Sequence, residues 1–176
     1  MISFLDKVSN WDNHRPLLFL ALENTTGNVL ELGMGDGSTP YLHEYCLLKN
    51  RQLESYDNNV EYCGKFNGLE STQHSIMLIE KWSNIKLGNY GVALIDHAPA
   101  EQRHIDAIKL KDKADIIIVH DAEHEGFDYD VYHIDKIAKE FKYRKDLVIQ
   151  QHAAKTVMFS NKIDVSKLSI PNFNLF

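Results

Sequence analysis

The chain has 176 residues, a length that suits one domain with a sizeable core and is too short for two comfortable ones. Charged residues at 25% and hydrophobic residues at 44% are those of an ordinary globular protein, which excludes a disordered or fibrous chain. A formal charge of −6 and a pI near 5.8 argue against a general nucleic-acid surface, because phosphate binding needs clustered Lys and Arg.

Residues 1–27 read as a helical lead-in or lid. His14, Arg15 and Pro16 open a helix through Leu17, Leu18, Phe19, Leu20, Ala21 and Leu22, and Thr25, Thr26 and Gly27 break it. This apolar run is far short of the ~20 residues that cross a bilayer. The first residues lack the basic and apolar regions of a signal peptide, so no membrane partner and a cytoplasmic location are expected. Cys46 and Cys63 have no metal-ligand spacing and are expected to be reduced.

Val29, Leu30 and Leu32 have the composition of a buried strand, and Gly33, Gly35 and Gly37 follow it. Ser38 or Thr39 can cap the next helix, Pro40 fits its first turn, and Tyr41, Leu42, Tyr45, Cys46 and Leu48 supply its apolar side. Glycines in such a turn adopt backbone angles closed to other residues and let a ligand lie on the main chain. A second strand over 52–56 ends at Asp57, which lies 20 residues beyond Gly37, where a carboxylate can meet a ribose hydroxyl pair.

A weakly patterned helix over 60–71 precedes a third strand over 75–79, with Glu80 and Trp82 after it. Val92 to Ile95 form a central strand that ends in Asp96 and His97. A helix from about Ala100 carries Ile105 and Ile108, and Ile116 to Val119 make a fifth strand ending in His120, Asp121, Glu123 and His124. Val131, Ile134, Ala138 and Phe141 repeat at helical spacing, and 147–149 and 156–159 read as a closing antiparallel pair.

Glu31 followed by Gly33, Gly35 and Gly37, with Asp57 after the next strand, resembles the class I S-adenosylmethionine-dependent methyltransferases, whose first motif is an acidic residue followed by x-G-x-G-x-G. The resemblance covers roughly residues 28–160. It implies an α/β fold, a single-domain three-layer αβα sandwich whose seven-stranded, mostly parallel sheet has its last strand antiparallel. Residues 28–176 would form that Rossmann-like domain, with 1–27 added to it in one structural unit. It also implies that Gly33, Gly35, Gly37 and Ser38 border the methionine part of the cofactor, that Glu31 orients its amino group directly or through water, that Asp57 holds the ribose and that Trp82 packs on the adenine. Asp96 would bind the cofactor's ammonium group or face the substrate.

Glu31 with the glycines, Asp57, Glu80, Asp96 with His97, and His120 with Asp121 each follow a different strand, so an open α/β sheet gathers them along one edge. Methyl transfer is an in-line displacement that needs alignment and, for an O–H or N–H acceptor, a place for the proton to go. Asp96, His97, His120 and Asp121 are the catalytic candidates, with the two histidines as bases. Some members of the family hold magnesium on carboxylates after the fourth and fifth strands. Asp96 and Asp121 fall there, but the Asp-Asn pair of that group is missing, so a metal is not required and Mg2+ on Asp96 and Asp121 is the alternative.

The expected activity is methylation of a small-molecule substrate, on oxygen, with no nucleic acid as partner. Two other functions compete: a scaffold that binds a nucleotide or S-adenosylmethionine without turnover, and an NAD(P)-dependent oxidoreductase, against which the glycine spacing counts. The short chain leaves little room for a substrate cover. A small acceptor, residues 1–27, a second subunit of a homo-oligomer or the acidic 123–130 loop with Phe127 and Tyr129 would make it good.

Overall fold

The computed structural model describes residue 8, residues 12–122, 132–148 and 155–170, and residue 172. Helix α1 (Arg15–Glu23) has Pro16 in its first turn, where no N–H is missed, and it turns Leu17, Leu18, Ala21 and Leu22 into the core. The strands are β1 (Val29–Leu32), β2 (Leu53–Asp57), β3 (His74–Leu78), β4 (Tyr90–Ile95), β5 (Ala114–Val119), β6 (Tyr143–Leu147) and β7 (Thr156–Ser160). Between them lie α2 (Thr39–Lys49), α3 (Val60–Phe66), α4 (Gln102–Leu110) and α5 (Ile134–Ala138).

These strands join in one sheet in the order β3-β2-β1-β4-β5-β7-β6. The first five are mutually parallel, and β7 runs antiparallel to both β5 and β6. This is the three-layer arrangement expected from the glycine motif. Alternation along the strands divides the core in two. Val29, Val92, Leu94, Ile116 and Ile118 pack with α1 and α2, while Leu30, Ala93, Ile95, Ile117 and Val119 pack with α4 and α5. The central strands are apolar on both faces because both are covered.

Three elements depart from the expected bounds. The helix at Val60 ends at Phe66 and passes into a single 3-10 turn (Asn67–Leu69), in a stretch that carries Gly64 and Gly68 and buries only Phe66. Ile134–Ala138 is a helix of 5 residues, and Phe141 beyond it packs on Phe159 with ring centroids 5.3 Å apart. β6 lies over Tyr143–Leu147, starting four residues before the expected 147–149 stretch, whose last residue lies outside the described residues; it is an edge strand, and charged Arg144, Lys145 and Asp146 belong on an edge. An apolar run was the wrong signal for it.

The glycine turn is fixed at Gly33, which has φ +93°. A Cβ there would stand 2.6 Å from the Asp96 carbonyl carbon and from the His97 nitrogen, so the turn passes directly against the end of β4. Gly35 is different: the nearest atom to a Cβ there is Ser38 Oγ at 3.9 Å. Gly33→Ala is therefore expected to cost about 2 kcal/mol or more, from strain alone before the clash is relieved. Gly35→Ala should change stability by less than about 0.5 kcal/mol. Urea unfolding of both variants checks the pair, and equal losses would contradict this assignment of roles.

Candidate active site

Under the glycine turn, Glu31 points to the α2 side of the sheet and is fully buried. Ser38 Oγ and Thr39 Oγ1 donate to its Oε1 at 2.6 and 3.0 Å, and Ser55 Oγ, from the neighbouring register position on β2, donates to Oε2 at 2.6 Å. Gly35 N in turn donates to Thr39 Oγ1 at 3.0 Å. Ser38 thus spends its hydroxyl on Glu31 rather than on capping the helix. Burial pushes the Glu31 carboxyl up to about 7 against the pull of its three hydroxyl donors. A further chain leads outward, from Ser55 Oγ to His74 Nε2 at 2.9 Å and from His74 Nδ1 to His43 Nδ1 at 3.1 Å.

Asp57 closes β2 with both oxygens engaged. Met34 N donates to Oδ2 at 2.8 Å and Asn59 N to Oδ1 at 2.7 Å. The carboxylate therefore holds the glycine turn on one side and the start of α3 on the other. Each carboxylate oxygen has two lone-pair directions, so these two bonds leave one on each unused, on a residue that lines the cavity.

At the ends of β4 and β5 the organising group is Arg103, from α4. Its Nε donates to His97 O at 2.8 Å, Nη1 to His120 O at 2.7 Å and Nη2 to Asp96 O at 3.2 Å. The same guanidinium pairs with the Asp96 carboxylate at 3.2 Å and the Asp121 carboxylate at 3.5 Å. Asp121 itself adopts the left-handed region, with φ 52°.

Asp96 Oδ2 lies 3.0 Å from His120 Nδ1, and His120 Nε2 lies 2.9 Å from Asn13 Oδ1. Thr156 Oγ1 also donates to that Asn13 oxygen, at 2.9 Å. Burial would raise the Asp96 carboxyl, but His120, Arg103 and His14 outweigh it and bring it down to about 2. Burial works against a charged His120, yet the Asp96 and Asp121 carboxylates raise it above its ordinary value. His14 meets His120 edge to face with ring centroids 4.6 Å apart. Burial first, and His120 second, push His14 down to about 3.

These groups surround a cavity of about 430 Å³ at the carboxyl ends of β1, β2, β4 and β5. Of the residues expected at the site, Gly33, Gly35, Gly37, Ser38, Asp57, Asp96, His97, His120 and Asp121 line it. Glu31 does not: it acts on the turn from beneath, through hydroxyls. His97 has a side chain with no exposure, its Nε2 lies 3.1 Å from Asp106 Oδ2, and its ring stacks on Trp82 at 4.0 Å. The same stacking describes where Trp82 lies. Its indole is buried beside His97 and donates to Ala98 O at 2.8 Å, and it is not among the residues that line the cavity. Glu80 is exposed and away from the cavity. Glu123, His124 and the 123–130 loop lie outside the described residues.

Sequence reasoning missed Asp12, Asn13, His14, Tyr62 and Arg103. Asp12 and Tyr62 line the cavity, and Asp12 also pairs with Arg15. A Cβ at Gly37 would run into the Asp12 carboxylate and stand 3.1 Å from His14 Cε1, so that glycine makes room for the segment before α1. No signal in the sequence couples residues 12–14 to a turn more than twenty positions away.

No family model matches the chain, and no curated protein matches it in sequence. Among solved structures it is similar to the N-methyltransferase NodS from Bradyrhizobium japonicum WM9, with a TM-score of 0.62 and 14% identity over 87% of this chain and 96% of that one. NodS in complex with S-adenosyl-L-homocysteine matches with a TM-score of 0.58 and 11% identity, over 85% of this chain and 84% of that one. Precorrin-6y C5,15-methyltransferase from Geobacter metallireducens GS-15 matches with a TM-score of 0.56 and 9% identity, over 85% and 88%. The fold is therefore that of the class I methyltransferases.

Two outcomes follow for stability. Removing Arg103 leaves Asp96, Asp121 and three strand-end carbonyls without their shared donor, so Arg103→Ala is expected to cost about 3–5 kcal/mol in urea unfolding. Arg103→Lys should fall between, since an ammonium keeps the charge and loses the fork. For Glu31, the folded carboxyl titrates at about 7 and the unfolded one at 4.5. Its contribution is present below pH 4.5 and is lost as pH rises through 7, on the order of 2–3 kcal/mol. Wild type should lose stability relative to Glu31→Gln between pH 5 and pH 8, at roughly that magnitude. A difference that stays flat across that range would refute the buried, high-titrating carboxyl.

Proposed function

We propose that the protein is an S-adenosylmethionine-dependent methyltransferase acting on the oxygen of a small-molecule acceptor. The observation that carries this is one shared space: the Gly33–Gly37 turn, the Asp57 carboxylate and the Asp96–His120–Asp121 group all border the same cavity. The main chain of the turn would meet the methionine part of the cofactor, with Gly35 giving the closest approach. Asp57 would take the ribose hydroxyls on its remaining lone pairs. The fold supports the methyl donor over a nicotinamide cofactor, since β7 enters the sheet antiparallel, between β5 and β6. One neighbour of the same fold is a methyltransferase in complex with S-adenosyl-L-homocysteine.

Charge supports the rest. Asp12, Asp36, Asp57, Asp96 and Asp121 all line the cavity; Arg15, Lys65 and Arg103 pair with four of them, and the acidic excess that is left favours a sulfonium and an ammonium group over polyanions. The same field holds an amine acceptor protonated and so non-nucleophilic, whereas a hydroxyl escapes that penalty. Asp121, with a side chain 31% exposed at the mouth, can accept the hydrogen bond of an incoming hydroxyl. The geometry disfavours a histidine base, because both ring nitrogens of His120 are engaged and His97 is turned into the core. That observation favours the second reading, a module that binds the cofactor without turnover. No helix among the described residues is long and apolar enough to cross a membrane.

Titration calorimetry with S-adenosylmethionine, S-adenosyl-L-homocysteine and NADH tests the cofactor. The first two are expected to bind, and Asp57→Asn should weaken them about 10-fold or more through lost hydrogen bonds to a charged group. Binding of NADH alone, or of none, overturns the proposal. Release of S-adenosyl-L-homocysteine in the presence of hydroxylated acceptors supports oxygen transfer. Release with amines only refutes it, and binding without release from any acceptor leaves the cofactor-binding module.

A further inference from the structure

The group formed by His14, Asp96 and His120 has features that hydrogen bonding among three side chains does not require. One ring nitrogen of each histidine and one Asp96 oxygen all lie within 4.8 Å of one another. In His14, Nε2 lies 3.2 Å from Gly37 O, and a carbonyl can only accept, so that nitrogen carries the hydrogen. The neutral ring then has a bare lone pair on Nδ1. This atom is buried and has no hydrogen-bond partner, on a residue that is 2% exposed and lines the cavity. A buried acceptor without a partner costs free energy unless something fills it.

His120 differs in that both its nitrogens have oxygen partners, so a metal would take the place of the hydrogen on its Nδ1. Its Nε2 faces the Asn13 side-chain oxygen, and its Nδ1 faces Asp96 Oδ2 at 3.0 Å. Each histidine thus directs one nitrogen at an oxygen behind it, Gly37 O or Asn13 Oδ1, and offers a ring nitrogen within 4.8 Å of the shared Asp96 oxygen, an arrangement like that by which outer partners orient metal-bound imidazoles. The 3.0 Å edge between nitrogen and oxygen is also that of two adjacent ligands each about 2.1 Å from one ion.

We propose that His14 Nδ1, Asp96 Oδ2 and His120 Nδ1 form a binding site for a divalent transition-metal ion. Two imidazoles and one carboxylate suit zinc, iron, cobalt or manganese, and they suit magnesium poorly, since it prefers oxygen donors and retained water. This separates the site from a magnesium pair on Asp96 and Asp121. Asp121, whose Oδ1 is 3.7 Å from His120 Nε2, stands beside the site and not within this set. Three protein ligands leave positions open on the cavity side. The site does not depend on methyl transfer, so it stands or falls apart from the proposed activity.

The test uses the full chain without cofactor or acceptor, stripped with a chelator and titrated separately with Zn2+, Co2+ and Mg2+ by calorimetry, with Co2+ also followed by its visible absorption. One equivalent of Zn2+ and of Co2+ is expected to bind, with Mg2+ weaker by about 100-fold or more. His14→Gln should weaken Co2+ about 100-fold, and Asn13→Ala, which removes an outer partner, about 10-fold. Because His14→Gln alters a buried position, its circular dichroism is compared with wild type. Histidine nitrogen NMR of the unaltered chain provides a second measurement, in which Zn2+ should shift the signals of His14 and His120. Failure of Zn2+ and Co2+ to bind overturns the proposal. So does binding that His14→Gln leaves unchanged, or Zn2+ shifts confined to His43 and His74.

Discussion

One buried guanidinium sets the geometry on which the cavity depends. Arg103 is 7% exposed and donates to the carbonyls of the two residues after β4 and of the residue after β5, so it fixes the splay between the two strand ends. The same group offsets the charge of Asp96 and Asp121, which would otherwise repel across the gap between those strand ends. Arginine fits this place because its planar fork supplies several donors in fixed directions and stays charged when buried. A loop could not hold two carboxylates at one mouth with that accuracy.

Glu31 does the corresponding work on the other side of the cavity by a different means. It has no cation beside it, and three hydroxyls from Ser38, Thr39 and Ser55 satisfy it. The acidic position of the motif is therefore a brace beneath the turn, joining β1, β2 and the start of α2. Gly33 explains why the turn needs bracing, since it is pressed against the β4 end and cannot give way. Motif residues divide here into those that shape the turn and those that face the cavity, and of the three glycines only Gly35 has open space above it.

Much of this was legible in the sequence, for identifiable reasons. The central strands declared themselves because burial on both faces leaves near-continuous apolar runs, as in Ile116 to Val119. Asp96 and His120 could be placed because each follows such a run, and Asp57 by its distance of 20 residues from Gly37; a parallel sheet then brings strand ends together. The edge strand β6 was illegible because its residues are chosen for exposure and not for packing. Trp82 could not be assigned because its partner, His97, is reached only through the fold: the ring that looked like an adenine platform is already stacked. Arg103 lay inside a helix whose pattern gave no hint of the strand ends it meets.

The segment before α1 was the largest omission, and its physics shows why. His14 has the sequence signature of a helix opener beside a proline, and α1 packs into the core as that pattern requires. What places residues 12–14 at the cavity is the seat of α1 on β4, β5 and β7, which carries Asn13 to His120 across 107 positions of chain. Contacts of that span leave no local pattern, since neither partner constrains its own neighbours. Yet they shape the cavity wall: His14 meets His120 only because Gly37 has no side chain to exclude it. The third glycine of the motif is thus as much a seat for the chain's own N-terminal segment as a surface for a ligand.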